Sequence, residues 1–199
     1  MAGTFPISSA NFQTMGVRSI QNTIISKSQS GKKLSRQVDG QRFAFTAQIV
    51  TAKRSDVYGE LMAFIMKQRS QKENFTIIPL EISNSRGTAS GIPNGTASAG
   101  DTSITLGGTG TGTLKAGDYI KFSNHDKVYM VVEDQSDIST GSLTIEPPLT
   151  TAVSSSDIIY DNVPFKVHLT SDVQEFGSVG NDKDGNLLYQ FELDVEETL

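Results

Sequence analysis

The feature that most constrains the fold is strict alternation of apolar and polar residues in two stretches near opposite ends of the chain. The apolar residues of the pattern are Phe43, Phe45, Ala47 and Ile49 in the first stretch and Tyr189, Phe191, Leu193 and Val195 in the second. Successive side chains of a β-strand point to opposite faces, so this period predicts strands with one buried face. The chain is therefore expected to fold around half-buried sheets.

Turn-like segments beside these stretches predict two long hairpins. Residues 28–33 separate the strand-like runs 16–27 and 34–53. Near the other end, residues 181–186 precede the second alternating stretch, and Phe165, Val167 and Leu169 alternate with polar residues before it. Clusters of Ser, Gly, Asn and Asp between β-rich runs are typical of hairpin turns.

One helix is predicted after the first hairpin. Ser55 and Asp56 supply a capping hydroxyl and a carboxylate for its positive end, and the helix is expected to end near Lys72. The apolar stripe has the spacing of one helix face. Its members are Tyr58, Leu61, Met62 and Ile65, and Met66 is also expected in the core.

The composition changes abruptly to Gly, Ser, Thr, Ala and Asn between residues 83 and 113, which places a domain boundary near Arg86. The short strand candidates are 102–106, 118–122, 127–133, 142–145 and 157–160. Five short strands in this space suit a small Greek-key barrel of the OB type. The predicted fold is mainly β. A discontinuous β-sandwich core domain with one α-helix (1–86 and 163–199) carries an inserted small OB-like β-barrel domain (87–162).

Several function classes are disfavoured by composition. The 199 residues include no cysteine, which excludes disulfides, thiolate zinc sites and a cysteine nucleophile. No segment has the roughly 18 apolar residues that a membrane span needs, so a soluble protein made in a cytoplasm is expected, without a membrane partner. Metal sites and cofactors are not expected.

The motifs that resemble catalytic or binding sequences are weak. Residues 107–112 fit neither dinucleotide-binding nor Walker patterns, and a flexible hairpin loop is the better interpretation. A calcium loop starting at Asp182 would have Leu187 at its sixth position in place of glycine and Leu193 at its twelfth in place of glutamate. Two histidines, His125 and His168, stand without a nucleophile. No catalytic residue is assigned, and an enzyme is not expected.

Charge is distributed unevenly along the chain. Residues 1–80 contain 11 Lys and Arg against 4 Asp and Glu, a net +7, whereas residues 81–199 have a net −12. Such asymmetry steers association between unlike surfaces. The predicted barrel has 3 basic and 9 acidic residues, a net −6 that argues against nucleic-acid binding. The basic cluster in the first segment could face an acidic protein neighbour.

Three stretches, in this order, resemble the distal tail proteins of long-tailed bacteriophages, in the two-domain form with an inserted OB barrel. The first is Arg42-Phe-Ala-Phe-Thr-Ala-Gln-Ile49 with the helix and Phe75-Thr-Ile-Ile-Pro79. The second is Leu114-Lys-Ala-Gly-Asp-Tyr-Ile-Lys-Phe, continuing to Tyr129. The third is Val163-Pro-Phe-Lys-Val-His-Leu169 with Phe191-Glu-Leu-Asp-Val and the residues to Leu199.

The resemblance implies a hexameric ring at the distal end of the tail tube in the virion. The ring would join the tube protein to the tail tip or baseplate hub and surround a channel through which DNA passes. The family's pattern implies no catalysis and no cofactor. In such a ring, an acidic strand face made of Glu192, Asp194 and Glu196 could line the channel and repel DNA from its wall.

Two other functions remain open from the sequence. OB folds bind oligosaccharides, so the barrel could bind a host glycan with Tyr119 and Tyr129 as surface aromatics. The chain could also be another tail-tube-like component, such as a baseplate hub or tube initiator. Both alternatives keep the protein in a phage tail.

Overall fold

The computed structural model describes residues 3–6 and 12–199, which separate into two compact units. The first unit comprises the described residues of 6–74 together with 167–199. The second unit comprises residues 3–5 and 75–166.

The described chain is mainly β, as predicted. Its strands are β1 (Phe12–Lys27), β2 (Lys33–Lys53), β3 (Phe75–Ile77), β4 (Pro93–Ala97), β5 (Ser103–Gly108), β6 (Tyr119–Phe122), β7 (Val128–Val131), β8 (Ser142–Glu146), β9 (Val153–Ile159), β10 (Phe165–Leu169), β11 (Gly177–Asn181) and β12 (Leu187–Glu197). Its α-helices are α1 (Gly59–Lys67) and the single turn α2 (Leu80–Ser83), and a 3₁₀ turn spans Ser70–Lys72.

The first unit is built on an antiparallel sheet in which β1, β2, β12 and β10 follow one another, with β11 also paired to β12. The predicted buried face of β2 is confirmed, because Phe43, Phe45, Ala47 and Ile49 are all buried. They align with the buried residues of β12; Phe45 lies opposite Val195, for example. The two alternating stretches of the sequence therefore share one core.

The helix begins and ends differently from the prediction. A π-helical turn, Arg54–Tyr58, precedes α1, and no side chain caps either segment; the Ser55 hydroxyl instead donates to Asp56. The α-helix ends at Lys67, because Arg69 and the residue after it adopt the left-handed conformation. Three of the four stripe residues, Tyr58, Leu61 and Ile65, are buried as expected. Met66 is 76% exposed, so its core assignment is wrong.

The second unit contains a closed antiparallel barrel with the strand order β4-β5-β8-β7-β6-β9. The five predicted strands are present with small shifts in their ends, but the barrel has six strands because β4 was missed. Its interior is filled mainly by aliphatic and aromatic side chains that are buried; they include Ile104, Ile120, Phe122, Val131, Leu143 and Ile145.

The glycine-rich run 107–112 is not the flexible loop that its composition predicts. Its first two residues end β5, and the following backbone pairs with the residues before β4, through the reciprocal hydrogen bonds between Ser90 and Thr111. At Gly112, which has φ +91°, a side chain would collide with the Thr88 carbonyl. Glycine is required here because two backbone segments pass very close together.

Candidate functional site

The acidic residues predicted to line a channel lie on one face of β12, beside β2. Glu196 forms a 2.7 Å ion pair with Arg42. Asp194 accepts a 2.6 Å hydrogen bond from the Thr46 hydroxyl and lies 3.8 Å from the guanidinium of Arg18. Glu192 is exposed and has no ion pair in the described part of the chain. The negative charges of two of the three carboxylates are thus already offset within the chain. The orientation of this face toward a channel stays a prediction.

The two tyrosines proposed as barrel surface aromatics are inside the unit. Tyr129 is 0% exposed and Tyr119 is 8% exposed, so the prediction of a surface aromatic platform is wrong. The Tyr119 ring packs edge-on against Phe165, and the Tyr129 ring packs edge-on against Phe122. Burial also raises the pKa of the Tyr119 hydroxyl. Alanine variants at these positions would perturb the core and would not report on glycan binding.

The hydroxyl of Tyr129 joins two loops of the barrel. It contacts the imidazole Nε2 of His125 at 2.8 Å and accepts a 3.1 Å hydrogen bond from the backbone N–H of Thr150. The other imidazole nitrogen contacts the Asn124 side chain at 2.8 Å. Burial and the nearby Lys121 lower the pKa of His125, which favours its neutral form. His125 is half-buried and holds the loop together, although its place in a predicted turn favours a solvated surface residue.

Asp126 bridges two lysines of the second unit, at 2.9 Å from the ammonium of Lys121 and 2.7 Å from that of Lys166. The hydrogen bonds from Lys166 and Lys121 lower the pKa of the Asp126 carboxyl. A carboxyl with a lowered pKa in the folded state stabilises the fold above its unfolded-state pKa, and this contribution is lost as the pH falls through the folded-state value.

Replacing Asp126 with asparagine is expected to lower the free energy of unfolding by about 1 kcal/mol at neutral pH, because the carboxylate is partly exposed and solvent screens the ion pairs. The difference from wild type should shrink as the pH falls through the lowered folded-state pKa of Asp126, because the wild-type side chain then becomes neutral as well. Urea unfolding at neutral pH and over a series of acidic pH values measures it. The control is Asp157→Asn, at an exposed position of β9, and an equal loss in both variants would contradict the role of the lysine pairs.

The turn that resembles a calcium loop is held by its own hydrogen bonds. Asp182 accepts hydrogen bonds from the backbone N–H groups of Asp184 and Asn186, and Lys53 lies 2.5 Å from its other carboxylate oxygen. These donors, Lys53 first, lower the pKa of Asp182 far below its usual range. The turn closes onto β12 as the hairpin interpretation predicts.

The feature that the sequence reasoning missed is an exposed apolar surface on the outer part of the first hairpin. We call residues 22–38 the arm. Ile24 is 61% exposed and Leu34 is 54% exposed, and Ile25 and Val38 are exposed as well. The pair Ile24-Ile25 could have indicated this exposed surface, because it breaks the alternation and puts an apolar residue on each face of the hairpin.

Among residues 3–6 and 12–199, no three His, Asp or Glu side chains are grouped so that they could hold a metal ion. Within the same residues, no helix is long and apolar enough to cross a membrane.

The barrel is the part of the chain that matches a known family. Residues 83–163 match the family model described as "Distal tail protein pb9, B domain", and this range includes all six barrel strands. No curated protein matches the chain. Distal tail proteins are structural and not enzymatic. The match covers the barrel and less than half of the chain, and it supports a structural role in a phage tail.

Proposed function

We propose that this protein forms a hexameric ring at the distal end of a phage tail tube and connects the tube to the tail tip or baseplate. The single observation that carries the proposal is the match of residues 83–163 to a distal tail protein domain. DNA would pass through the centre of the ring. The other partners would be the tube protein and the hub proteins of the tip.

The organisation of the chain supports a separate role for each of its two parts within this function. We propose that residues 1–86 and 163–199 form the ring-building domain and that residues 87–162 form an inserted barrel that contacts other tail components. The family match begins and ends within four residues of the proposed insertion, at 83 and 163. The net charge of −6 on the insertion favours partners with basic surfaces.

The arm supports self-assembly in particular. A monomeric protein rarely leaves several large apolar side chains exposed on a single hairpin, and such patches mark interaction surfaces. A closed ring requires two different surfaces on each subunit that fit one another after a rotation. The unequal charges of the two halves of the sequence fit this requirement.

In the proposed ring, the acidic face of β12 lines the channel. Glu192 would be its main contribution to the repulsion of DNA, because Arg42 and Arg18 offset the charges of Glu196 and Asp194. The glycan-binding alternative lacks its expected platform, since Tyr119 and Tyr129 are buried. A hub or tube-initiator function shares the same fold class and is separated from the distal ring only by position in the virion.

Light scattering after gel filtration is expected to give a mass of about 128 kDa, six times the chain mass of 21.4 kDa. Negative-stain images should show rings with a central opening. Gold-labelled antibodies against the protein should bind the distal tip of intact virions, with antibodies against the tube protein as the control along the tail shaft. Label at the neck or capsid, or a monomer at every concentration with no label on tails, would contradict the proposal.

A further inference from the structure

The arm combines apolar side chains with a strong positive charge. Residues 22–38 contain Lys27, Lys32, Lys33 and Arg36 and no acidic residue. Paired residues of an antiparallel ladder share a face. Ile24 is paired with Arg36, and Leu34 is the diagonal neighbour of Ile24 on that face. One face of the arm therefore presents apolar side chains beside a guanidinium.

A second exposed segment of the first unit has the complementary composition. Residues 171–187, which we call the acidic edge, contain four acidic residues and one lysine. Asp172, Glu175 and Asp184 are exposed. The exposed apolar residues of the segment are Val173, at 78%, with Val179 and Leu187. Its strand β11 pairs only with β12 within the described residues, so its other edge is open.

The arm cannot reach the acidic edge of its own chain. The turn and β11 of this edge lie at the end of the sheet where Lys53 of β2 pairs with Leu188, whereas residues 171–176 run beside β12 between Asp194 and Phe191. The arm begins at the other end of β2, at Val38, and extends away from the sheet. At roughly 3.3 Å per residue, about 43 Å of strand separates Val38 from the level of Lys53, and about 20 Å separates it from the level of Thr46, beside residue 171. Contact between the two surfaces is therefore possible only between copies.

We propose that the arm of one copy docks on the acidic edge of a second copy. The arm face that carries Ile24, Leu34 and Arg36 is buried at this contact, and Arg36 faces the carboxylates of the edge. The two surfaces are different and lie at separate places on one sheet, so the contact is head to tail and propagates into a ring when the rotation closes. This inference rests on the proposed assembly function and names the surfaces that carry it.

The acidic face of β12 is a weaker receptor for the arm. Its carboxylates at Asp194 and Glu196 already contact Arg18, Thr46 and Arg42 of the same chain. Docking a basic arm there would have to displace these contacts. Docking on the exposed carboxylates of the acidic edge displaces no ion pair of the same chain, except at Asp182, which contacts Lys53.

Charge reversal tests the pairing. The arm variant Arg36→Glu and the edge variant Glu175→Lys/Asp184→Lys should each weaken assembly about tenfold or more in light scattering, because like charges meet at the contact. The three substitutions combined should restore assembly. The matched control, Glu146→Lys/Asp157→Lys on the barrel, changes the net charge as the edge variant does and should leave assembly unchanged.

Disulfide trapping gives a direct second readout, since the natural chain has no cysteine. A chain with Ile24→Cys and Val179→Cys should form a ladder of covalent multimers under mild oxidation. The two positions of one chain are much too far apart for an internal disulfide, whose Cα atoms lie about 5–7 Å apart. The control pair, Ile24→Cys with Met66→Cys, should crosslink far more slowly.

The outcomes separate this inference from the proposed function. Rings that form equally well in the arm and edge variants, or a cysteine pair that crosslinks no faster than its control, would overturn the docking and leave the ring function standing. Loss of assembly in both variants without recovery in the combined variant would overturn the pairing. A wild-type chain that never assembles, alone or on tails, would overturn both.

Discussion

Replacing Gly95 with valine is expected to destabilise the barrel by about 3 kcal/mol or more, at the upper end of overpacking costs. Gly95 is a buried residue of β4, and a Cβ atom there would lie 2.7 Å from Ile104 Cγ2 and 2.8 Å from Phe122 Cε1. Both neighbours are themselves fully buried. Neither can move without disturbing a closed sheet, so the added side chain forces β4 out of the barrel.

Hydrogen exchange with peptide resolution measures the effect, because it reports on the barrel separately from the first unit. Exchange in Gly95→Val should increase over residues 93–159. The control is Gly177→Ala at the start of β11, where an added Cβ meets no atom within 4 Å and exchange should stay unchanged. Equal protection of the barrel in wild type and Gly95→Val would contradict the close packing against β4.

Truncation of Phe45 to alanine is the second substitution with a large expected effect. The Phe45 side chain is fully buried in the first unit, in the strand that continues into the arm. Phe→Ala substitutions in cores cost about 3–5 kcal/mol through lost burial and the cavity that remains. We therefore expect the sheet to lose most of its margin of stability, and with it the ability to present the arm.

The loss should appear as faster hydrogen exchange in β2 and β12 and as weaker assembly. Met66→Ala is the matched control within the same unit, because this side chain is 76% exposed and its removal should change the stability by less than about 0.5 kcal/mol. A Phe45→Ala chain as stable as the control would show that the alternating stretch does not form the core.

The sequence predicted those elements whose local pattern coincides with their burial. The alternation around Phe45 and around Leu193 identified both the strands and the face that each one buries. The strand β4 was missed because four of its five residues, all but the threonine of Pro-Asn-Gly-Thr-Ala, are depleted in strands. It is a strand because the barrel must close, and closure depends on pairing with β5 and β9, which no short window of sequence contains.

The candidate sites were predicted less well than the fold, for a physical reason. Tyr119 and Tyr129 lie in short strands whose two sides both meet other side chains, so alternation does not separate inner from outer positions. Met66 extends the apolar stripe in sequence, but the helix ends one residue later and leaves it in solvent. The acidic residues of β12 were placed together correctly, whereas their partners Arg18 and Arg42 depended on long-range strand register.

The register of the first hairpin shifts where the arm meets the sheet. Ile20 pairs with Arg42 and Asn22 with Val38, so residues 39–41 lie opposite the single residue Gln21, and Gly40 adopts φ +104°. Extra residues in one strand bend it and increase its twist. In the proposed ring joined by arms, the bend at residues 39–41 would set the angle from each subunit to the next and so influence how many subunits close the circle.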